Sequence, residues 1–167
     1  MTKTHPDFVI TRTFDAPRDL VWQAFTEGES LAQWWGPKGF ATHVTRFEFR
    51  PGGKFVYAMR SEGGNEMWGR FVYQEITPPE RLVFINSFSD ENGGLVRGPF
   101  SEKLPLEMLL TLTFEEENGK TTLTLRGRPI NATEEEKEFY ASLHPSMRSG
   151  FGGTFDQLEA YLARQAG

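Results

Sequence analysis

Three histidines, His5, His43 and His144, are the first residues to weigh for chemistry, and no two of them stand four residues apart. A helical metal site of the HExxH kind needs that spacing, so only the fold could gather these three. No GxSxG elbow, P-loop or GxGxxG fingerprint is present. "GFGG" at residues 150–153 is glycine-rich but sits in a helical pattern, where close helix–sheet packing explains it better than a phosphate cradle. The acidic runs "EEEKE" (134–138) and "FEEEN" (114–118) suit a helix N-terminus and the approach to a hairpin turn, and both read as solvated surface. Cysteine is absent, which removes disulfides, Cys-ligated zinc and thiol catalysis. No catalytic residue, metal ligand or cofactor is assigned, and the balance leans away from an enzyme.

More informative are polar groups set among apolar ones. In "HVTRFEFR" His43 shares parity with Phe47 and Phe49, and in "RLVFINSFS" Asn86 shares parity with Phe84 and Phe88. A few such groups inside an apolar chamber orient a ligand, because leaving them unpaired costs about 1–3 kcal/mol. Taken singly, each is more simply satisfied by a neighbour or a water. Arg70 and Glu66 are weaker candidates, since the inward face of their strand is not settled by the pattern. "SLAQWWGPKGF" (30–40) then places Trp34 and Trp35 side by side before a Gly-Pro-Lys-Gly stop. Adjacent helical residues point about 100° apart, so both cannot centre on one narrow stripe. The expectation is that Trp35 lies in the core and Trp34 nearer the rim of a cavity.

The elements that must position these groups follow from periodicity. "DFVITRTFDAP" alternates as a strand, Pro17 opens a short helix through Leu20, Val21, Ala24 and Phe25, and "ESLAQWWG" makes a second that Gly36-Pro37 stops. From Phe40 the period becomes two. "KFVYAMR" aligns Phe55, Tyr57 and Met59. "LEMLLTLTFEEENGKTTLTLRGR" is a hairpin about Asn118-Gly119, with Met108, Leu110, Leu112 and Phe114 on one face. The strand-like runs total about seven, the pattern of a meandering antiparallel sheet. Thr133 and Glu136 form a capping-box pattern, and His144-Pro145 should end or kink the helix it opens. Beyond it Met147, Phe151, Phe155, Leu158 and Leu162 recur at helical spacing. Gly150, Gly152 and Gly153 each lower helicity by about 1 kcal/mol relative to alanine, so this helix needs tertiary support.

At 167 residues, 38% hydrophobic and 25% charged, the chain reads as one domain spanning 1–167. Fifteen phenylalanines suit a wide core or a cavity for apolar molecules. A net charge of -5 leaves no nucleic-acid footprint. The N-terminus lacks a signal-peptide core, and no apolar run reaches the roughly 18 residues of a membrane span, so a soluble cytoplasmic protein is expected.

"FDAPRDLVWQAFTEGESLAQWWGPKGF", "FRPGGKFVYAMR", "PPERLVF" and "SGFGGTFDQLEAYL", in this order, resemble the AHSA1-like branch of the START/Bet v1-like (SRPBCC) superfamily over essentially the whole chain. The resemblance implies an α+β helix-grip fold: a curved seven-stranded antiparallel sheet around a long C-terminal helix, with two short helices after the first strand and an often hydrophobic cavity. Phe151 stands where members often carry Trp. The leading expectation is a protein that holds a small apolar or aromatic molecule. Cavity candidates are Trp34, Trp35, His43, Phe47, Phe49 and Asn86, with Phe55, Tyr57, Met59 and Phe84 from the sheet. Met108, Leu110, Leu112, Met147, Phe151 and Phe155 complete the set. The alternatives are an Hsp90-type chaperone-interacting domain, which the branch name suggests, and a cavity enzyme such as a cyclase or hydrolase using His43. The free edges of an open sheet permit a homodimer.

Overall fold

A computed structural model describes residues 5–98 and 101–166. Seven strands form one antiparallel sheet in the order β1-β7-β6-β5-β4-β3-β2. β1 (Phe8–Phe14) and β2 (Phe40–Phe47) are its two edges. Between them in the chain, α1 (Arg18–Thr26) and α2 (Gly28–Trp34) carry the backbone from one edge to the other. The remaining strands are sequential hairpin partners: β3 (Lys54–Ser61), β4 (Glu66–Thr77), β5 (Arg81–Phe88), β6 (Glu107–Glu117) and β7 (Lys120–Ile130). α3 (Glu134–Ser142) and α4 (His144–Ala166) follow. This is the helix-grip arrangement. Among the described residues, no helix is long and apolar enough to cross a membrane.

Alternation along the strands sends one apolar face inward. Phe55, Tyr57 and Met59 of β3, Phe71 and Tyr73 of β4, Leu82 and Phe84 of β5 and Leu110, Leu112 and Phe114 of β6 are all buried in one cluster. Phe71 lies stacked on Phe84 with ring centroids 3.9 Å apart, and meets Phe55 edge-on at 4.9 Å. From α4, Phe155, Leu158, Tyr161 and Leu162 close the cluster. The helix makes its main close backbone approaches to β1, α1, α2 and α3 rather than to the central strands. Side chains therefore have to fill the span between helix and mid-sheet.

Local chemistry accounts for the helix boundaries. Thr133 Oγ1 accepts from the Glu136 backbone N–H at 3.1 Å, and Glu136 Oε1 accepts from the Thr133 N–H at 2.9 Å, completing the capping box. α3 stops one residue short of His144, and Pro145 falls in the first turn of α4, where its missing N–H costs nothing. Asp156 accepts from Arg12 at 2.7 Å and from Lys38 at 3.4 Å, tying α4 to β1 and to the α2–β2 connection. The Arg12 guanidinium, with Lys38 beside it, holds the Asp156 carboxyl below its ordinary range.

The strand pattern departs from simple alternation at two bulges, between Val44 and Arg46 and between Tyr73 and Glu75. The first corrects the expectation for His43. Counting back from Phe47 by twos places His43 inside, but the extra residue flips the parity. Thr42 is buried and His43 is exposed on the outer face. β4, whose parity the pattern leaves open, turns Gly69, Phe71 and Tyr73 inward, while Arg70 faces outward and donates to the Gly93 carbonyl at 2.8 Å. Glu66 is exposed and pairs with Arg60 at 2.6 Å.

Two buried groups yield stability predictions. The Tyr73 hydroxyl is buried without a hydrogen-bond partner among the described residues, and burial pushes its ionisation well above the ordinary range. Tyr73→Phe removes that unpaired group and should stabilise the fold by about 1 kcal/mol, read as a higher urea midpoint. His144 lies edge-on to Phe8 and to Tyr140, each at 5.5 Å, with its Nε2 enclosed and unpartnered among the described residues. Desolvation, and then Arg148, lowers its pKa from 6.5, with Asp7 opposing. The folded chain thus protonates His144 less readily than the unfolded one, so its contribution is full above 6.5 and is lost as pH falls below it. The urea midpoint should drop between about pH 7.5 and about pH 5.5, and His144→Phe should flatten that drop.

Candidate functional site

At one end of the helix–sheet space the side chains do not meet, and a partly open recess of about 250 Å³ remains. Tyr57 and Met59 of β3, Gly69 of β4, Asn86 and Phe88 of β5 and Met108 of β6 form its floor. Met147, Gly150, Phe151 and Thr154 of α4 form one wall, and Trp35, Gly36 and Pro37 from the α2–β2 connection form another. A wider hollow of about 570 Å³ lies between the N-terminal segment, β7 and α3, but Asp7, Arg128 and Lys137 make it a charged surface groove.

Trp34 and Trp35 exchange the places expected for them. α2 ends at Trp34, whose ring is 1% exposed, packs edge-on against Phe25 at 4.7 Å and donates its indole N–H to the Ala24 carbonyl at 3.0 Å. Trp35 is the C-cap residue, with extended backbone at φ -71°, ψ 135°. Leaving the helix frees its ring from the 100° rule, and it turns into the recess, 5.0 Å from Phe71 and 6.5 Å from Phe151. It is 7% exposed.

The turn that carries Trp35 is clamped. Gln157 Nε2 donates to the Trp34 carbonyl at 2.9 Å and to the Gly36 carbonyl at 2.8 Å. Thr154 Oγ1 also donates to the Gly36 carbonyl, at 3.0 Å, and Thr42 Oγ1 donates to that of Trp35. Gly36 itself sits at φ +112°, a conformation that L side chains rarely adopt.

Polar groups on the floor come from Asn86, Tyr57 and Ser87, whose hydroxyl is buried without a partner among the described residues. Asn86 Nδ2 donates to the Arg70 carbonyl at 3.1 Å and to the Tyr57 hydroxyl at 3.2 Å. Burial raises the Tyr57 pKa, opposed by side-chain hydrogen bonds from Trp35 and Asn86, so the phenol stays protonated. Its position depends on Gly69, the cross-strand partner of Tyr57: a Cβ there would lie 2.5 Å from the Tyr57 Cζ and hydroxyl oxygen. Among the described residues no lining side chain but this phenol ionises, and no three His, Asp or Glu side chains are grouped to hold a metal ion.

Of the residues singled out from sequence, Trp35, Tyr57, Met59, Asn86, Met108, Met147 and Phe151 come together around the recess. Phe55, Phe84, Leu110, Leu112 and Phe155 are fully buried farther along, where they fill the helix–sheet space instead. Phe47 and Phe49 stack on each other at 5.9 Å, and Phe49 packs on Tyr73 at 5.0 Å, away from the recess. Gly69, Gly36, Pro37, Ser87, Phe88, Gly150 and Thr154 also line it but were not among the cavity candidates. Gly69 carried a signal, a glycine inside a strand, which marks close approach by another group. The helical glycines do not make the close sheet packing expected of them: nothing lies within 4 Å of a Cβ built at Gly150 or Gly152, and one at Gly153 would meet the Lys38 side chain.

The fold has counterparts of known structure. A protein from Arthrobacter aurescens, solved by solution NMR, is 26% identical over 96% of this chain and 87% of its own, with a TM-score of 0.79. One from Nitrosomonas europaea is 26% identical over 96% of each chain, with a TM-score of 0.72. The AHSA1 protein from Silicibacter pomeroyi, at 19% identity over 95% of this chain and 99% of its own, shares the fold with a TM-score of 0.71. No curated protein matches the chain. The sequence profile described as "Activator of Hsp90 ATPase homolog 1-like protein" matches residues 15–163, which is nearly the whole length. The chain belongs to that family, AHSA1.

Proposed function

We propose that the chain, acting as one domain over residues 1–167, binds a small apolar ring compound between its sheet and α4. The observation that carries this is the recess itself, about 250 Å³ walled almost wholly by carbon and sulfur. A buried apolar cavity of about 150 Å³ accepts benzene, and pockets for drug-sized ligands begin near about 300 Å³. One or two fused rings fit between those bounds, whereas a long acyl chain does not. Met59, Met108 and Met147 supply polarizable sulfur to ring edges, and Trp35 and Phe151 supply aromatic faces.

Burying on the order of 200 Å² of ring surface at about 25 cal/mol per Å² gives about 5 kcal/mol, a Kd on the order of 0.1–1 mM before any polar contact. Indole and naphthalene titrated into protein with isotope-labelled methionine methyls should shift Met59, Met108 and Met147 saturably in that range. A long-chain fatty acid should not. Trp35→Phe should remove most of the accompanying change in tryptophan emission. If neither ring compound moves any of the three methyls, the proposal is wrong.

A further inference from the structure

We propose that the recess selects a neutral ring carrying a hydrogen-bond acceptor beside a donor, as in a primary carboxamide or a lactam, read by the Tyr57 hydroxyl and Asn86 Oδ1. This rests on the ring-binding function above and names the polar part of its ligand.

The assignment follows from which hydrogen-bonding groups are already engaged. Asn86 has two N–H donors, and its Nδ2 reaches both the Arg70 carbonyl at 3.1 Å and the Tyr57 hydroxyl at 3.2 Å. A backbone carbonyl can only accept, so the Arg70 contact fixes which end of the amide is nitrogen. The other end, Oδ1, belongs to a side chain that lines the recess, and no described residue donates to it. The Tyr57 oxygen accepts from Asn86, and the Trp35 ring stands edge-on beside it with centroids 6.4 Å apart. With its oxygen engaged by Asn86, its own proton has no acceptor among the described residues, although the residue is 3% exposed. Buried polar groups in native proteins are normally paired. Here a phenol proton and an amide oxygen, bridged by a single hydrogen bond, face the recess, and beside them the Ser87 hydroxyl is buried without a partner among the described residues.

Charge narrows the choice further. Among the described residues no lysine, arginine, aspartate or glutamate lines the recess, and the Arg70 guanidinium lies on the far side of the sheet, where it donates to the Gly93 carbonyl. A carboxylate or ammonium brought here would lose its water without gaining a partner of opposite charge. A carbonyl oxygen can accept from Tyr57 while an adjacent N–H donates to Asn86, at no ionic cost.

Three probes of nearly equal size separate the possibilities: benzamide, benzoate and cumene (isopropylbenzene), titrated near pH 7 against the full chain and against Tyr57→Phe, with the methionine methyls as readout. Benzamide should bind at least tenfold more tightly than benzoate. Tyr57→Phe should weaken benzamide about three- to tenfold relative to cumene, and an unchanged dispersion of the free protein's methionine methyls shows that the variant keeps its fold. If all three probes bind alike, or if the benzamide-to-cumene ratio survives Tyr57→Phe, this inference falls while the ring-binding function stands. If none binds, both fall together.

Discussion

Three consecutive carbonyls, those of Trp34, Trp35 and Gly36, accept side-chain hydrogen bonds from Gln157, Thr42 and Thr154. Most of what is distinctive here depends on that clamp. It joins the end of α2 to the start of the sheet and to the middle of α4, and so sets how far the long helix stands from the central strands. A helix containing Gly150, Gly152 and Gly153 has weak intrinsic stability, about 1 kcal/mol per glycine below alanine, and needs anchors of this sort. Asp156, bridging Arg12 and Lys38, adds a second tie on the same helix.

With the helix held at that distance, the size of the residues below decides what is filled and what is left open. Along most of its length Phe55, Phe71, Phe84 and Phe155 fill the gap with interlocking rings. Toward the Met147 end the wall turns to methionine and glycine, and the rings stop short. Gly69 is decisive because the Tyr57 ring occupies the place where any other side chain would begin. The polar corner therefore depends on a missing Cβ on β4.

Much of the fold was legible in the residues. Alternation around Phe55, Tyr57 and Met59, and around Met108 to Phe114, reports the inward face directly, because each side chain there follows the pleat without interruption. Thr133 and Glu136 announced the start of α3 through a local hydrogen-bond pair that needs no tertiary context. The site was less legible. His43 was misplaced by one extra residue in β2, which no composition rule reveals. Trp34 and Trp35 traded places because the helix ended one residue earlier than both rings required. The clamp itself, between residues more than a hundred positions apart, is a property of packing alone.

Unbranched thioethers from three different elements, Met59, Met108 and Met147, meet around one hollow, and such walls behave as a pliable mould. They can follow the outline of guests that differ by an atom or two with little strain. Under the ring-binding function proposed above, discrimination by contour would therefore be blunt at this end of the molecule. It passes to the rigid part, a phenol and an amide locked to each other and to the sheet backbone, so that across a series of guests girth would be forgiven and misplaced polarity punished.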